Sequence, residues 1–343
     1  MNYDIIIIGN DPAGVETAFA AAASNLRTAI VLSESDGVLA CTEQLCDALS
    51  ILVPELAVSR ICGTGVFAPT NQFTMDDVRG ELQSVIDDQR GIALERLNAH
   101  GVDTISGDAR FIDKHTISVG AVELTADRFV IATGTRPGST VVTDGENVTN
   151  AIQLLQRKGI PDSLAVVGGN RIGMQLGLLF AGIGSAVTII DGRPLVHCGI
   201  ETDLLIDRAL ELDVDFRLGS SMISADIVSE NEATHVSVHL ENGKRLAVEQ
   251  TVLANPSFGN TDGLGLNNVG LEADESSRLW CNDQLQTWQP HIHAIGNVVG
   301  YPVQTDVETS LQILSACFKT DKQIPRPMGL LRSLARKQSF MSS

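Results

Sequence analysis

One arrangement occurs twice in this chain and constrains its fold more than any other feature. Asp4 to Ile8 is a short apolar run rich in β-branched residues, the pattern of a buried strand. It runs into Gly9-Asn10-Asp11-Pro12-Ala13-Gly14, then an Ala-rich helical stretch from Val15 to Ser24, then a second strand, Thr28 to Leu32. The same order returns later. Leu164 to Val167 is a strand, Gly168-Gly169-Asn170-Arg171-Ile172-Gly173 the turn, Met174 to Ala181 the helix, and Val187 to Ile190 a strand ending at Asp191. Strand, glycine-rich turn, helix, strand is a βαβ unit, whose parallel strands need helices over the sheet faces.

Two such starts predict an α/β fold built from two Rossmann-like dinucleotide-binding modules, one inserted in the other. In such a turn the first glycine makes the bend, the second lets the backbone approach a pyrophosphate, and the third packs the helix on the sheet. The helix N-terminus then faces the phosphates, and an acid about 20 residues on takes the ribose hydroxyls. The first turn keeps Gly9 and Gly14 but has Asp11 at the second position. A carboxylate there can cap the helix itself and stand where a phosphate belongs. Leu32 sits at the ribose position, and Glu34 follows two residues late. The second turn keeps Gly168 and Gly173, with Asn170 between them, which is neutral and tolerant of positive φ. Asp191 falls at the ribose position and favours NAD, while Arg193 is placed to hold a 2′-phosphate instead. Each turn also has a plainer reading: a Rossmann-type module with an impaired site, and Asp191 as an ordinary strand-end residue.

Composition narrows the partners. Lys plus Arg number 24 against 42 acids, a net charge of -18, which argues against general nucleic-acid binding because phosphate contacts need cations. Aromatics at 4% argue against base-stacking platforms. The start has no basic region ahead of an apolar one, so no secretory signal is expected. Six dispersed cysteines do not form a disulfide framework, and a reducing, cytoplasmic setting follows. Ile172 to Ile190 is uncharged and long enough to span a bilayer, but Gly173, Gly177, Gly182 and Gly184 interrupt it. It reads as a buried helix then a buried strand, so no transmembrane segment is expected. Further elements are a helix from Asp76 to His100, strands at Phe129–Ala132 and His291–Gly296, and an antiparallel pair, His235–Leu240 with Arg245–Leu253. His291 and His293 share one strand face without a third ligand, so they are expected in the core or at an edge, not on a metal.

The connecting motifs are more specific than either turn. They are Asp108 to Thr116 (DARFIDKHT), Phe129 to Pro137 (FVIATGTRP), Gly259-Asn260-Thr261-Asp262, and Gln289 to Gly296 (QPHIHAIG) running on to Gly300-Tyr301-Pro302. With the tandem modules they resemble the pyridine nucleotide–disulfide oxidoreductases, and within that family the soluble transhydrogenases. The resemblance runs from residue 3 to about 317. It implies FAD at the module around Gly9, closed over by Thr133-Gly134 and the stretch after Gly296, and NAD(P) at the module around Gly168. It implies hydride transfer between NADH and NADP through FAD. The implied division is 1–147 for the first part of the FAD module, 148–265 for the NAD(P) module, 266–317 for the FAD module's return, and 318–343 for a basic tail.

Departures from the family pattern are as informative. Asn297 stands for the family's ribityl-binding Asp, Gln175 for a Glu near the nicotinamide, and Ala48-Leu49-Ser50 for Pro-Ser-Lys. Cys41 and Cys46 keep the four-residue gap of a redox-active disulfide, with two ordinary buried thiols as the alternative. About 25 residues follow Cys317, so the family's C-terminal interface domain, of roughly 100 residues, is expected to be absent. A dimer is accordingly expected to be weak or to use another surface. The competing reading is a catalytically impaired paralogue acting as a nucleotide-binding or regulatory protein.

Overall fold

The computed structural model describes residues 2–33, 42–62, 74–138, 147–193, 202–230, 233–254, 257–301 and 307–319. The first part of the chain forms β1 (Asn2–Ile8), α1 (Pro12–Ala23), β2 (Thr28–Leu32), α2 (Thr42–Cys62), α3 (Met75–Ala99), β3 (Asp103–Ser106), β4 (Ala109–Asp113), β5 (Thr116–Val119), β6 (Val122–Ile131) and β7 (Thr135–Pro137). Their sheet runs β3-β2-β1-β6-β5-β4, parallel from β3 to β6 and antiparallel beyond. Strand alternation divides β1 between two cores. Ile5 and Ile7 pack with Phe19 of α1 and Leu97 of α3, while Ile6 and Ile8 pack with Phe111 and Phe129.

The middle of the chain forms β8 (Val148–Asn150), α4 (Ala151–Leu155), β9 (Ser163–Val167), α5 (Arg171–Gly182), β10 (Ala186–Asp191), α6 (Thr202–Glu211), β11 (Asp215–Leu218), β12 (Met222–Glu230), β13 (Ala233–Leu240), β14 (Arg245–Val248) and β15 (Gln250–Leu253). A parallel sheet runs β11-β10-β9-β15-β8, and β12-β13-β14 form a separate antiparallel sheet. The run expected as one strand from Arg245 to Leu253 therefore divides at Glu249. Its first half closes the hairpin, and its second half enters the parallel sheet between β9 and β8. No turn residue marks the division, which is why the sequence reads as continuous.

The chain then returns through β16 (Ser257–Gly259), β17 (Leu279–Trp280), β18 (Ile292–Ala294), β19 (Val299–Tyr301) and α7 (Val307–Lys319). β16 pairs antiparallel with β7, so a two-stranded ribbon carries both crossings between the two large sheets. β18 adds to β6 in the first sheet.

The uncharged stretch from Ile172 resolves into α5 and β10, and among the described residues no helix is long and apolar enough to cross a membrane. His293 is buried, whereas His291 meets the Lys114 carbonyl and stacks on His115. Among the described residues no group of three His, Cys, Asp or Glu is placed to hold a metal ion. The basic tail beyond Lys319 lies outside the described residues.

α2 is the element that sequence reasoning missed. Leu45, Leu49, Leu52 and Leu56 do form a helical stripe, but Ala48 and Val53 widen it and Pro54 interrupts it. The helix is wedged between α3 and α5 in one shared core. Gly182 of α5 permits the approach, since a Cβ there would lie 2.6 Å from Leu56 Cδ2.

Candidate functional site

β1 delivers Gly9 against the end of β6. Its φ is 120°, and a Cβ there would lie 2.2 Å from the Ala132 carbonyl oxygen. Gly14 is equally confined, with Ala132 Cβ at 2.7 Å. Between them Asp11 caps α1, its Oδ1 accepting the Ala13 N–H at 2.8 Å, with Pro12 following at the first helical position. The Asp11 side chain is 3% exposed, and its Oδ2 has no hydrogen-bond partner. That oxygen lies against Gly296, where an added Cβ would be 2.6 Å away.

A second acid arrives from the start of α2. Glu43 accepts the Thr135 backbone N–H at 3.0 Å, the Thr135 hydroxyl at 2.7 Å and the Asn297 amide. Neighbouring Gln44 donates to the Asn10 carbonyl at 3.0 Å. Burial, then the negative charge of Glu43, push the Asp11 carboxyl up to about 7.

A cleft of about 570 Å³ leads away from Gly9 and Thr133 past Val31, Ser33, Asp108 and Ala109. Gly134, next to Thr133, has φ 63°, its carbonyl accepting the Asn260 N–H at 3.0 Å. The ribose expectation at Leu32 is corrected. Leu32 shares the buried strand face of Ile30, whereas Ser33 reaches the cleft and donates to Asp108 at 2.5 Å. Asn10 exchanges two hydrogen bonds with the Ser33 backbone, tying the turn to the end of β2. Glu34 and Cys41 lie outside the described residues.

The second turn repeats the geometry with neutral chemistry. Gly168 has φ 116°, and a Cβ on Gly173 would lie 1.9 Å from the Gly168 carbonyl oxygen. Asn170 caps α5, accepting the Gly173 N–H at 2.9 Å and donating to Ala254 O at 3.1 Å. Asp191 accepts the Gly169 N–H at 2.7 Å, and the backbone and side chain of Arg193 at 2.9 and 3.2 Å. Burial pulls the Asp191 pKa up, but the Arg193 and Gly169 hydrogen bonds outweigh it and hold the carboxyl below its usual range.

α2 touches both turns. Besides the contacts of Glu43 and Gln44 with the first, Asp47 pairs with Arg171 at 2.9 Å and Ser50 accepts from Gln175 at 2.9 Å. Two departures from the family pattern, Ser50 and Gln175, thus hold one another. Of the two cysteines with redox-disulfide spacing, only Cys46 lies within the described residues. Its thiol is buried in the core beneath α2, and desolvation pushes it up to about 12, so it stays protonated at neutral pH.

The chain thus carries two Rossmann-type turns, each with a confined glycine backbone and a capped helix, with one helix, α2, touching both. The chain belongs to the pyridine nucleotide-disulphide oxidoreductase family, whose pattern it matches over residues 3–313. It is 32% identical over 319 residues to the soluble pyridine nucleotide transhydrogenase of Mycobacterium tuberculosis (strain ATCC 25177 / H37Ra), covering 88% of this chain and 67% of that protein. The enzyme of that name from Vibrio parahaemolyticus is 32% identical over 326 residues, with the same coverage. Among solved structures, the Cu(II) complex of the HOCl-induced flavoprotein disulfide reductase RclA from Escherichia coli is 25% identical with a TM-score of 0.66, covering 91% of this chain and 69% of that one. LpdA from Mycobacterium tuberculosis, 21% identical, shares the fold with a TM-score of 0.69 over 94% of this chain and 74% of that one.

The family comprises oxidoreductases that depend on FAD and NAD(P). The residues of the first turn fit FAD in their backbone: the close approach at Gly9, the N-terminus of α1 and the cleft beyond it. The Asp11 carboxyl fits it less well: its Oδ2 is a buried polar atom set against Gly296, and Asp11 is not among the residues that line the cleft.

Proposed function

We propose that this chain is an oxidoreductase of soluble-transhydrogenase type, with FAD at the first turn and NAD(H) or NADP(H) at the second. The observation that carries this reading is the reach of α2, whose side chains bond to Asn10, Thr135 and Asn297 at one turn and to Arg171 and Gln175 at the other. FAD, when bound, supplies a two-electron relay between nicotinamides. This chain's residues then need only bind and orient. Gly9, Gly14, Thr133, Gly134 and Asn297 hold the flavin nucleotide, with Ser33 and Asp108 beside its ribose. Asn170, Gly173 and the α5 N-terminus face the nicotinamide dinucleotide's phosphates, and Asp191 takes its ribose hydroxyls. The neutral Ser50–Gln175 pair borders the nicotinamide end. We place this activity in the cytoplasm.

The test is hydride transfer from NADH to a chromophoric NADP analogue by FAD-loaded protein. No transfer by a chain carrying stoichiometric FAD overturns the reading. NADH is expected to bind at least as tightly as NADPH, because Asp191 repels a 2′-phosphate and already engages Arg193. Calorimetry giving tenfold tighter NADPH, about 1.4 kcal/mol, would refute that preference. The alternative, a nucleotide-binding or regulatory protein with little turnover, is favoured by one observation: the acid at Asp11.

A further inference from the structure

We infer that Asp108, on the turn between β3 and β4, is the carboxylate that receives the adenosine ribose of the flavin dinucleotide, and that it selects ligands carrying the ribose 2′-hydroxyl. The inference rests on the reading that the first turn holds FAD. A Rossmann-type site sets this ribose at the end of the second strand, where an acid accepts its hydroxyls. Among the described residues the end of β2 offers no such acid, since Leu32 faces the core and Ser33 is neutral. The acid arrives from the neighbouring strand instead. The Gly107 N–H donates to the Leu32 carbonyl at 2.9 Å, which draws the turn after β3 against the end of β2. Asp108 then lies beside Ser33, whose hydroxyl donates to Asp108 Oδ1 at 2.5 Å.

Both side chains line the same cleft as Gly9 and Asn10. Ser33 is itself held from the glycine turn. Asn10 Nδ2 donates to the Ser33 carbonyl at 3.1 Å, and Asn10 Oδ1 accepts the Ser33 N–H at 2.9 Å. A continuous hydrogen-bonded path thus runs from the turn that faces the phosphates to the carboxylate. The chemistry of that carboxylate chooses the ligand group. Ionised, it only accepts, and one bond from Ser33 leaves it acceptor capacity. A vicinal diol brings two hydroxyl donors to it, whereas a phosphate brings charge of the same sign. The one cation among the lining residues, Arg136, is paired with Asp262.

The experiment is a fluorescence titration of the full chain with FAD and with 2′-deoxy-FAD, the analogue lacking the 2′-hydroxyl of the adenosine. The wild type is expected to bind FAD about tenfold more tightly, the lower end of what a hydrogen bond to a charged group supplies. Asp108→Ala is expected to weaken FAD about tenfold and 2′-deoxy-FAD little, so that its preference falls toward one. Ser33→Ala, which frees the carboxylate to turn, is expected to lose about half of the preference on a logarithmic scale. Asp108 is exposed, and circular dichroism checks that its variant folds. A wild type that binds the two ligands equally, or an Asp108→Ala variant that keeps the full preference, overturns the assignment and leaves the flavin reading intact. Loss of the preference in Glu34→Gln but not in Asp108→Ala moves the role to Glu34 and overturns it equally. FAD binding by none of the proteins overturns the flavin reading itself.

Discussion

Replacing Asp11 with asparagine is expected to raise the thermal unfolding midpoint of the unliganded protein at pH 8 and to change it little at pH 4. The carboxyl is near 7 in the folded chain against an ordinary value of 3.8. Folding therefore favours the protonated form. The stability that goes with it is fully present below pH 3.8 and is lost as pH rises through 7. At pH 8 the wild type carries the full cost of a buried, unpaired carboxylate beside Glu43, on the order of 4 kcal/mol. Asparagine keeps the cap on Ala13 and removes that cost, a gain of several degrees in a chain of this size. Unfolding followed by circular dichroism at both pH values is the check, and parallel pH profiles for the two proteins would refute the assignment. His293 works in the opposite direction. Burial lowers its pKa to about 4, so its contribution is lost as pH falls from 6.5 toward 4. The His293 window overlaps that of Asp11, so the Asp11 contribution is read from the difference between the two proteins at each pH.

Gly173→Ala is expected to weaken NADH binding a hundredfold or more and to cost roughly 3 kcal/mol of stability. Its new methyl would sit 1.9 Å from a backbone oxygen, Gly168 O, so the turn or the start of α5 has to move. Gly177→Ala is the matched control one turn further along α5. Its methyl would meet Ile189 Cδ1 at 2.9 Å, the end of a flexible side chain that can swing away. Denaturant unfolding and calorimetric titration of the two variants separate the effects. Equal losses in both would mean that α5 tolerates no added bulk anywhere, and that the turn has no special role.

The two βαβ starts were legible because each concentrates its signals within about thirty residues: a β-branched run, a glycine turn, a helix and a second strand. The capping role of Asp11 was legible for the same reason, since its partner Ala13 is two residues away. Glu43 was not. Its partners Thr135 and Asn297 are 92 and 254 residues distant, and no local pattern announces such a meeting. Leu32 was misplaced by counting along the chain where strand parity decides. The residue that faces the core is fixed by alternation from Ile30, and the cleft falls to Ser33. α2 escaped notice because a helix buried against two neighbours has a broad apolar surface, and Pro54 reads as a stop.

The wedge of α2 between α3 and α5 also bears on how freely such modules can be exchanged. Leu45, Leu49 and Leu52 belong to the same interior as Met174, Leu178 and Phe180, although more than a hundred residues separate them in the chain. Cutting out the inserted unit would strip that oily flank from α2, and grafting the unit elsewhere would leave its own flank bare. Each half is the other's missing wall. Modular in its sequence repeats, the chain shares this part of its interior across both turns, and a graft that leaves α2 behind is expected to lose stability.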